Sequence, residues 1–411
     1  MLTPEQRNQF NEIFDELAKS LDITSTQYEA AVTSYQFVGD WLSKPESPLA
    51  PYSPEILPQG SFLLGTMIKP IHEDDDLDVD LVCRLLGKKL SWSQYDLKKI
   101  VGDRLKAHET LKRMLDKEGR RCWTLLHRDS AKFHMDVLPA IVSSNFKVIL
   151  EKSLSASMSA SELKNVAELA IRITDKLTSN YLTSTNPADW LKSNPFGYAA
   201  WFKVRASLDI YKSILLTEAV QPVPEYQKQK LPLQRVVQIQ KRHRDIMFNG
   251  DENKPISIII TTLAARAYQG QTDIIEALVS IVNTMENFIE ERYDAKSGRI
   301  IKWIANPVNP EENFADKWPA NPKKQENFYK WLRQIKADVA NITAQRGLHH
   351  IQEALSSPFG KSTVNSAFSN IGERAREKRE SGNMKMAAGT GILGTAGRAG
   401  VSYHNNFGNG E

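Results

Sequence analysis

Residues 60–85, GSFLLGTMIKPIHEDDDLDVDLVCRL, place six carboxylates (Glu73, Asp74, Asp75, Asp76, Asp78 and Asp80) within eight residues and then run into an apolar segment. Side chains of an extended strand alternate between faces with a period of two. Asp76, Asp78 and Asp80 therefore share one face, and Leu77, Val79 and Leu81 the other. The apolar face asks for a core, whereas the charged face repels itself unless a cation lies among the carboxylates. Residues 134–140, HMDVLPA, repeat the pattern, with His134 and Asp136 on one face and Met135 and Val137 opposite. If the two segments are sheet neighbours, Asp136 completes a three-carboxylate cluster with Asp78 and Asp80. Oxygen donors without thiolate favour Mg²⁺ or Mn²⁺ over zinc. A two-ion site, with ions about 3.5–4 Å apart, can be bridged by such aspartates. Taken alone, the acidic run from Glu73 to Asp75 reads as a solvated loop.

Gly60 and Ser61 add a second element. A Gly-Ser turn at a helix start offers backbone N–H groups and a hydroxyl to a triphosphate. The pair says little by itself. Followed by Asp-x-Asp on a strand and a third Asp on a later strand, it supplies what phosphoryl transfer requires: a phosphate cradle beside metal-binding carboxylates.

The remaining sequence sets bounds. At 411 residues, 41% apolar and 25% charged, the chain accommodates two domains, or one core with a large helical half. Its net charge of +4, from 53 basic and 49 acidic residues, gives no basic track for a polynucleotide. Cys83 and Cys122 lack metal-ligand spacing, which points to a reducing cytoplasm and no structural zinc. MLTPEQRNQF has no signal-peptide pattern, and the longest apolar run, PISIIITTLAA, is shorter than the roughly 18 residues of a membrane span. No membrane partner is expected.

Thr3, Pro4 and Gln6 form a capping-box start for a first helix, and a second is expected over 25–43. After a proline-rich connector, residues 60–150 alternate strand signals with one basic amphipathic helix at about 94–118. From 155 onward, through SASELKNVAELAIRITDKLT and across 195–350, the pattern is helical. The last 31 residues hold eight of the 21 glycines and read as a mobile tail. The expected divisions are N-terminal helices over 1–58, a catalytic core over 59–195, a helical domain over 196–350, and a helix with a glycine-rich tail over 351–411.

GSFLLGT, the acidic approach to DVDLVCRL, and HMDVLPA resemble the nucleotidyltransferases of the polymerase-β-like superfamily. NPFGYAAWF, LPLQRVVQIQKRHRDIMF, PISIIITTLAARAY and NPVNPEENFADKW narrow this to the bacterial cGAS/DncV-like nucleotidyltransferases (CD-NTases) of CBASS anti-phage defence. The resemblance spans about residues 57–330 and is strongest to the clade D-like branch that makes cyclic trinucleotides. It implies an α/β (α+β) polymerase-β-like nucleotidyltransferase core with a C-terminal helical bundle. The metal pair of the family falls on Asp78 and Asp80, with Asp76 competing for the first place on the same face. Asp136 matches the third carboxylate, which also activates the attacking ribose hydroxyl. Lys241 in QIQKRHRD and Ser257 in PISIII match the lysine and serine that hold the donor triphosphate with Gly60 and Ser61; their plainer reading is a surface lysine and a helix N-cap.

The implied activity is a Mg²⁺-dependent cyclic oligonucleotide synthase using two ions, with Mn²⁺ as a substitute. It joins ATP and GTP into a cyclic di- or trinucleotide, cyclic AMP-AMP-GMP being the expected product, which acts through a downstream effector. The glycine-rich tail ending at Glu411 is a candidate substrate for a ubiquitin-transfer-like enzyme, although Gly410 is not terminal. Alternatives are a terminal nucleotidyltransferase acting on RNA or protein, and a non-catalytic nucleotide-sensing scaffold. KRHRD and the sign-alternating ERAREKRE read as helix faces rather than nucleic-acid sites. His72, His349 and His350 lack metal spacing, and the scattered tryptophans read as core. Tyr198 or Phe202 is expected at the base pocket.

Overall fold

The structure, a computed structural model, describes residues 2–72, 75–127, 132–142, 169–207, 226, 229–295, 297–387, 391–394 and 399–401. Glu73 and Asp74 of the acidic run, the helical stretch expected over 155–168 and the terminal HNNFGNGE lie outside them. The chain forms two compact units that interleave along the sequence: Met1–Asp22, Arg235–Ile289 and Lys317–Glu411 in one, Ile23–Gln234 and Glu290–Asp316 in the other.

The second unit is built on a six-stranded mixed sheet, β1 (Glu55–Pro58), β2 (Leu77–Leu85), β4 (Phe133–Val142), β5 (Ile171–Ile173) and β6 (Leu191–Ser193) in spatial order. β3 (Trp123–His127) pairs with the first half of β4, on the edge that β5 occupies further along. Alternation in β2 behaves as the sequence requires, since Leu77, Val79, Leu81, Cys83 and Leu85 are all buried. They join one core with Tyr35, Val38 and Leu42 of α2 (Ser25–Ser43) and Leu97, Val101 and Leu105 of α4 (Gln94–Lys106). The opposite face carries the aspartates. α3 (Gly60–Leu64) connects β1 to the loop before β2 and packs against α6 (Pro195–Ala206).

Caps are set by local chemistry. The expected capping box at Thr3 and Gln6 opens α1 (Pro4–Ser20), and equivalent boxes at Thr24/Gln27 and Ser93/Asp96 open α2 and α4. In NPFG, Asn194 Oδ1 accepts from Gly197 N at 2.8 Å. A Cβ at Gly197 would lie 2.3 Å from the Asn194 amide nitrogen, so the glycine makes room for its own cap.

Four elements differ from the sequence expectation. The helix expected over 94–118 is α4 plus α5 (Glu109–Met114), interrupted where His108 turns extended to pack its ring against Phe37 and Trp41. Residues 171–173, expected to be helical, form β5, because the edge of β4 supplies hydrogen-bond partners that a helix would forgo. Within the expected helical stretch 195–350 lie two hairpins, β7 (Glu290–Asp294) with β8 (Arg299–Trp303), and β9 (Ala305–Asn306) with β10 (Asn309–Asn313). NPVNPEENF is the second of these: Asn306 Oδ1 accepts from Val308 N at 3.0 Å, and Asn313 Oδ1 from Ile304 N and Ala315 N, both at 2.9 Å. Finally, the glycine-rich end is not wholly irregular. Lys385–Met386 pairs with both Leu393–Gly394 and Ala399–Gly400 in a three-stranded sheet.

The first unit is helical: α1, most of α7 (Pro232–Phe248), α8 (Ser257–Ala267), α9 (Ile274–Thr284), α10 (Pro322–Ala344), α11 (Leu348–Phe359) and α12 (Lys361–Glu380). α1 lies along α12 and also meets the end of α11, the Phe14 and Phe359 rings standing edge-to-face at 6.3 Å. Basic residues of ERAREKRE pair with α1, Arg374 to the buried Glu16 at 2.5 Å and Lys378 to Glu12 at 3.2 Å. That face is thus engaged internally. No helix among the described residues is long and apolar enough to cross a membrane.

Gly102, inside α4, faces the indole of Trp123, and a Cβ there would sit 2.1 Å from Trp123 Cζ2. Gly→Ala within a helix ordinarily stabilises by about 1 kcal/mol. Here overpacking, at about 1–3 kcal/mol, wins. Gly102→Ala is expected to lower the urea midpoint of unfolding, and an unchanged or raised midpoint would contradict this packing.

Candidate active site

β2 and β4 are parallel and in register, placing Asp78 opposite His134 and Asp80 opposite Asp136. Neighbouring strands lie about 4.8 Å apart, so the Asp80 and Asp136 carboxylates stand side by side on the face away from the α2/α4 core. β3 runs antiparallel on the other side of β4 and sets Thr124 opposite Asp136. Thr124 Oγ1 donates to Asp136 Oδ1 at 2.5 Å, orienting that carboxylate.

The remaining carboxylates of the strand are held differently. His134 Nε2 contacts Asp78 Oδ1, and its Nδ1 lies 3.7 Å from Asp76 Oδ2. The bond to Asp78 outweighs burial and, with the charges of Asp78, Asp136 and Asp76, pushes the His134 pKa up to about 9. At neutral pH a protonated imidazole therefore lies between Asp76 and Asp78, with Asp80 and Asp136 next along the same face. Among the described residues, no three His, Cys, Asp or Glu side chains are gathered as a metal site. The donor chemistry of Asp80 and Asp136, hard oxygens on adjacent strands, nevertheless suits a small divalent cation. Asp78, 73% exposed, joins them only by turning away from His134.

Gly60 lies against one of these carboxylates, that of Asp80. β1 pairs antiparallel with β2, Pro58 against Leu81, and Gln59 N donates to Asp80 O at 2.8 Å. Gly60 follows with φ +60°, and a Cβ on it would lie 2.5 Å from Asp80 Oδ2. Both the left-handed backbone and the close approach demand glycine. Ser61, half-buried, is the next residue of α3.

Lys241 and Ser257 belong to the helical unit, whereas Gly60, Ser61 and the three aspartates belong to the sheet unit. Lys241 is buried on α7. Ser257 is the first residue of α8, and its Oγ accepts from Arg244 Nη1 at 2.8 Å. Tyr198 and Phe202 are both buried on α6, Tyr198 beside Trp201 and Phe314. Thr124 and Arg244 are absent from the sequence reading. Thr124 was within reach of it, because CWTLLH is β-rich and ends six residues before HMD; Arg244 was not, because its contact with Ser257 joins two helices.

Residues 54–139 match the family model for the nucleotidyltransferase domain of cyclic GMP-AMP synthase DncV-like proteins. The match runs from the start of β1 into β4. Over 403 residues the chain is 29% identical to a c-di-GMP synthase of Roseivirga ehrenbergii, covering 96% of this chain and 94% of that one. It is 22% identical over 409 residues to the cyclic dinucleotide synthase CdnG of Bradyrhizobium diazoefficiens, covering 93% and 90%. Among solved structures, the Bradyrhizobium CdnG complex with GTP superposes with TM-score 0.63 at 18% identity, over 89% of this chain and 99% of that one. CdnC of Escherichia coli with ATP gives TM-score 0.57 at 14% identity, over 86% and 98%.

The His134 contacts carry a pH dependence. Its pKa rises from 6.5 to about 9 on folding, so its stabilising contribution is complete below about pH 6.5 and is lost as pH rises toward 9. Thermal unfolding in EDTA is expected to show wild type losing its advantage over His134→Gln across that interval. A constant difference between the two would exclude the contact.

Proposed function

We propose that this chain, a member of the cGAS/DncV-like nucleotidyltransferases, is a cyclic oligonucleotide synthase that joins nucleoside triphosphates into a signalling ring in anti-phage defence. The observation that carries the reading is the Asp80–Asp136 pair on adjacent parallel strands, with Gly60 in contact with Asp80. Gly60 and Ser61 hold the donor triphosphate, and Lys241 and Ser257 of the helical unit are assigned to the same task. Ser257 reaches it as part of a helix N-terminus, which itself favours anions. Asp136, with Oδ1 bound by Thr124, receives the proton of the attacking ribose hydroxyl on Oδ2 as the hydroxyl oxygen bonds the donor α-phosphorus and the α–β bond breaks to release pyrophosphate. Divalent cations, Mg²⁺ or Mn²⁺, would be held by Asp78, Asp80 and Asp136, and when bound they neutralise charge on the reacting phosphate. His134 keeps Asp78 ordered until then.

The names of the relatives bear on the product. Both full-length relatives are cyclic dinucleotide synthases, one of them for c-di-GMP, and the CdnG structure holds GTP. These favour a guanine-containing cyclic dinucleotide over the trinucleotide cyclic AMP-AMP-GMP that the motifs alone called for. GTP, with or without ATP, is then the substrate. A terminal nucleotidyltransferase would use the same aspartates and is the second reading.

Asp80→Asn and Asp136→Asn are each expected to cut synthesis roughly 10²–10³-fold or more. Both variants are expected to stay folded by circular dichroism, since Asp→Asn keeps the size and shape of the side chain. Full activity in either folded variant would overturn the catalytic assignment. Mass spectrometry of products from purified protein, Mg²⁺ and all four nucleoside triphosphates is expected to show a phosphatase-resistant ring containing GMP. A ladder of linear extensions would instead favour the terminal transferase.

A further inference from the structure

The turn leading into β3 presents two arginines on one buried carboxylate. Arg120 Nε donates to Asp175 Oδ1 at 2.6 Å and Arg121 Nε to Asp175 Oδ2 at 2.8 Å. The Asp175 side chain is fully buried, whereas those of Arg120 and Arg121 are 44% and 45% exposed. Each guanidinium spends only Nε on the aspartate. The Nη groups of both make no hydrogen bond or ion pair among the described residues. Asp316 near Arg120 and Glu312 near Arg121 lie within electrostatic reach but pair with neither.

The turn is over-determined. Lys98, itself fully buried, donates to Gly119 O at 2.5 Å and Arg120 O at 3.0 Å, and pairs with Glu118 at 3.3 Å. Lys176 N donates to Arg120 O at 3.2 Å, and Thr174 Oγ1 to Arg121 O at 3.2 Å. Asp175 is fixed in turn by Gln94 Oε1 on its backbone N–H and by Leu177 N on its Oδ1. Burial would raise the Asp175 pKa, but the bonds from Arg120, Leu177 N and Arg121 hold it below the usual carboxylate range. Such support exceeds what a solvated ion pair needs. It is what a fork held ready for an anion needs, since ordering the donors in advance removes an entropic cost at binding.

Cys122, between Arg121 and Thr124, lies within electrostatic reach of Arg121, Asp136 and Asp80. Arg121 precedes Thr124, the partner of Asp136, by three residues, roughly 10 Å at about 3.3 Å per residue. The Cys122 thiol is pushed up to about 12, by burial first and then by the charges of Asp136 and Asp80. An acceptor nucleotide whose ribose hydroxyl meets Asp136 carries its own 5′-phosphates several ångströms from that hydroxyl. Planar guanidiniums with outward N–H pairs match phosphate oxygens bidentately.

We propose that Arg120 and Arg121, presented by Asp175, form a second phosphate site that grips the 5′-triphosphate of the acceptor nucleotide. This rests on the synthase reading for the ligand's identity, though not for the anion site itself.

The test separates the two. Binding of inorganic tripolyphosphate is measured by calorimetry in EDTA, so that no metal-dependent donor site contributes. Arg120→Ala and Arg121→Ala are each expected to weaken it about tenfold or more. Arg121→Lys, which keeps a cation on Asp175 but loses the fork, controls for folding and is expected to weaken it several-fold. In synthesis, wild type is expected to prefer GTP over guanosine as acceptor, and the variants to lose that preference. Unchanged tripolyphosphate binding in folded variants, or an unchanged acceptor preference in an active variant, overturns the proposal. If wild type makes no product while tripolyphosphate binding still depends on the arginines, the anion site stands and the synthase reading falls.

Discussion

Two carboxylates on neighbouring strands repel, and a sheet that keeps them there must be stabilised elsewhere. Asp80 and Asp136 are held by the in-register parallel pairing of β2 and β4, which the buried faces of both strands enforce. A one-residue slip would exchange Leu77, Val79 and Leu81 with the aspartates, burying charge and exposing the core set. At about 1.5–3 kcal/mol for each buried large apolar side chain, the core overrides a repulsion of a few kcal/mol between partly solvated charges. The hydrophobic effect thus decides which face of the sheet the carboxylates occupy.

Parallel strands require a crossover, and here the crossover carries function. Residues 86–132 supply α4 to cover the apolar face, then return β3 along β4, which brings Thr124 to Asp136. Lys98 on α4 fixes the turn at the start of β3. The same segment therefore builds the core, orients Asp136 and anchors the arginine pair. On the other side of β2, the short β1 delivers Gly60 to Asp80.

Legibility in the sequence followed the range of the interaction. Capping boxes at Thr3 and Thr24, the span of α2 and the face sharing of Asp78 with Asp80 depend on neighbours within a few residues, and periodicity exposes them. The break at His108, the strand at 171–173 and the hairpins at 290–313 depend on partners far along the chain, which propensity does not encode. At the site, alternation brings out the aspartates but is silent on rotamers. His134 was visibly on the face of Asp136, yet its closure onto Asp78 arises only from strand pairing. Arg120 and Arg121 look like surface charges until Asp175, 54 and 55 residues later, is seen beneath them.

The pairing of α1 with the end of α11 and with α12 joins segments more than 340 residues apart, through Phe14–Phe359, Glu16–Arg374 and Glu12–Lys378. A chain made from its N-terminus onward exposes the apolar stripe of α1 long before its mate exists. The helical unit can close only when synthesis is nearly finished, whereas most of the sheet unit has left the ribosome by then. Truncated translation products therefore carry α1 without its mate and leave the helical unit incomplete.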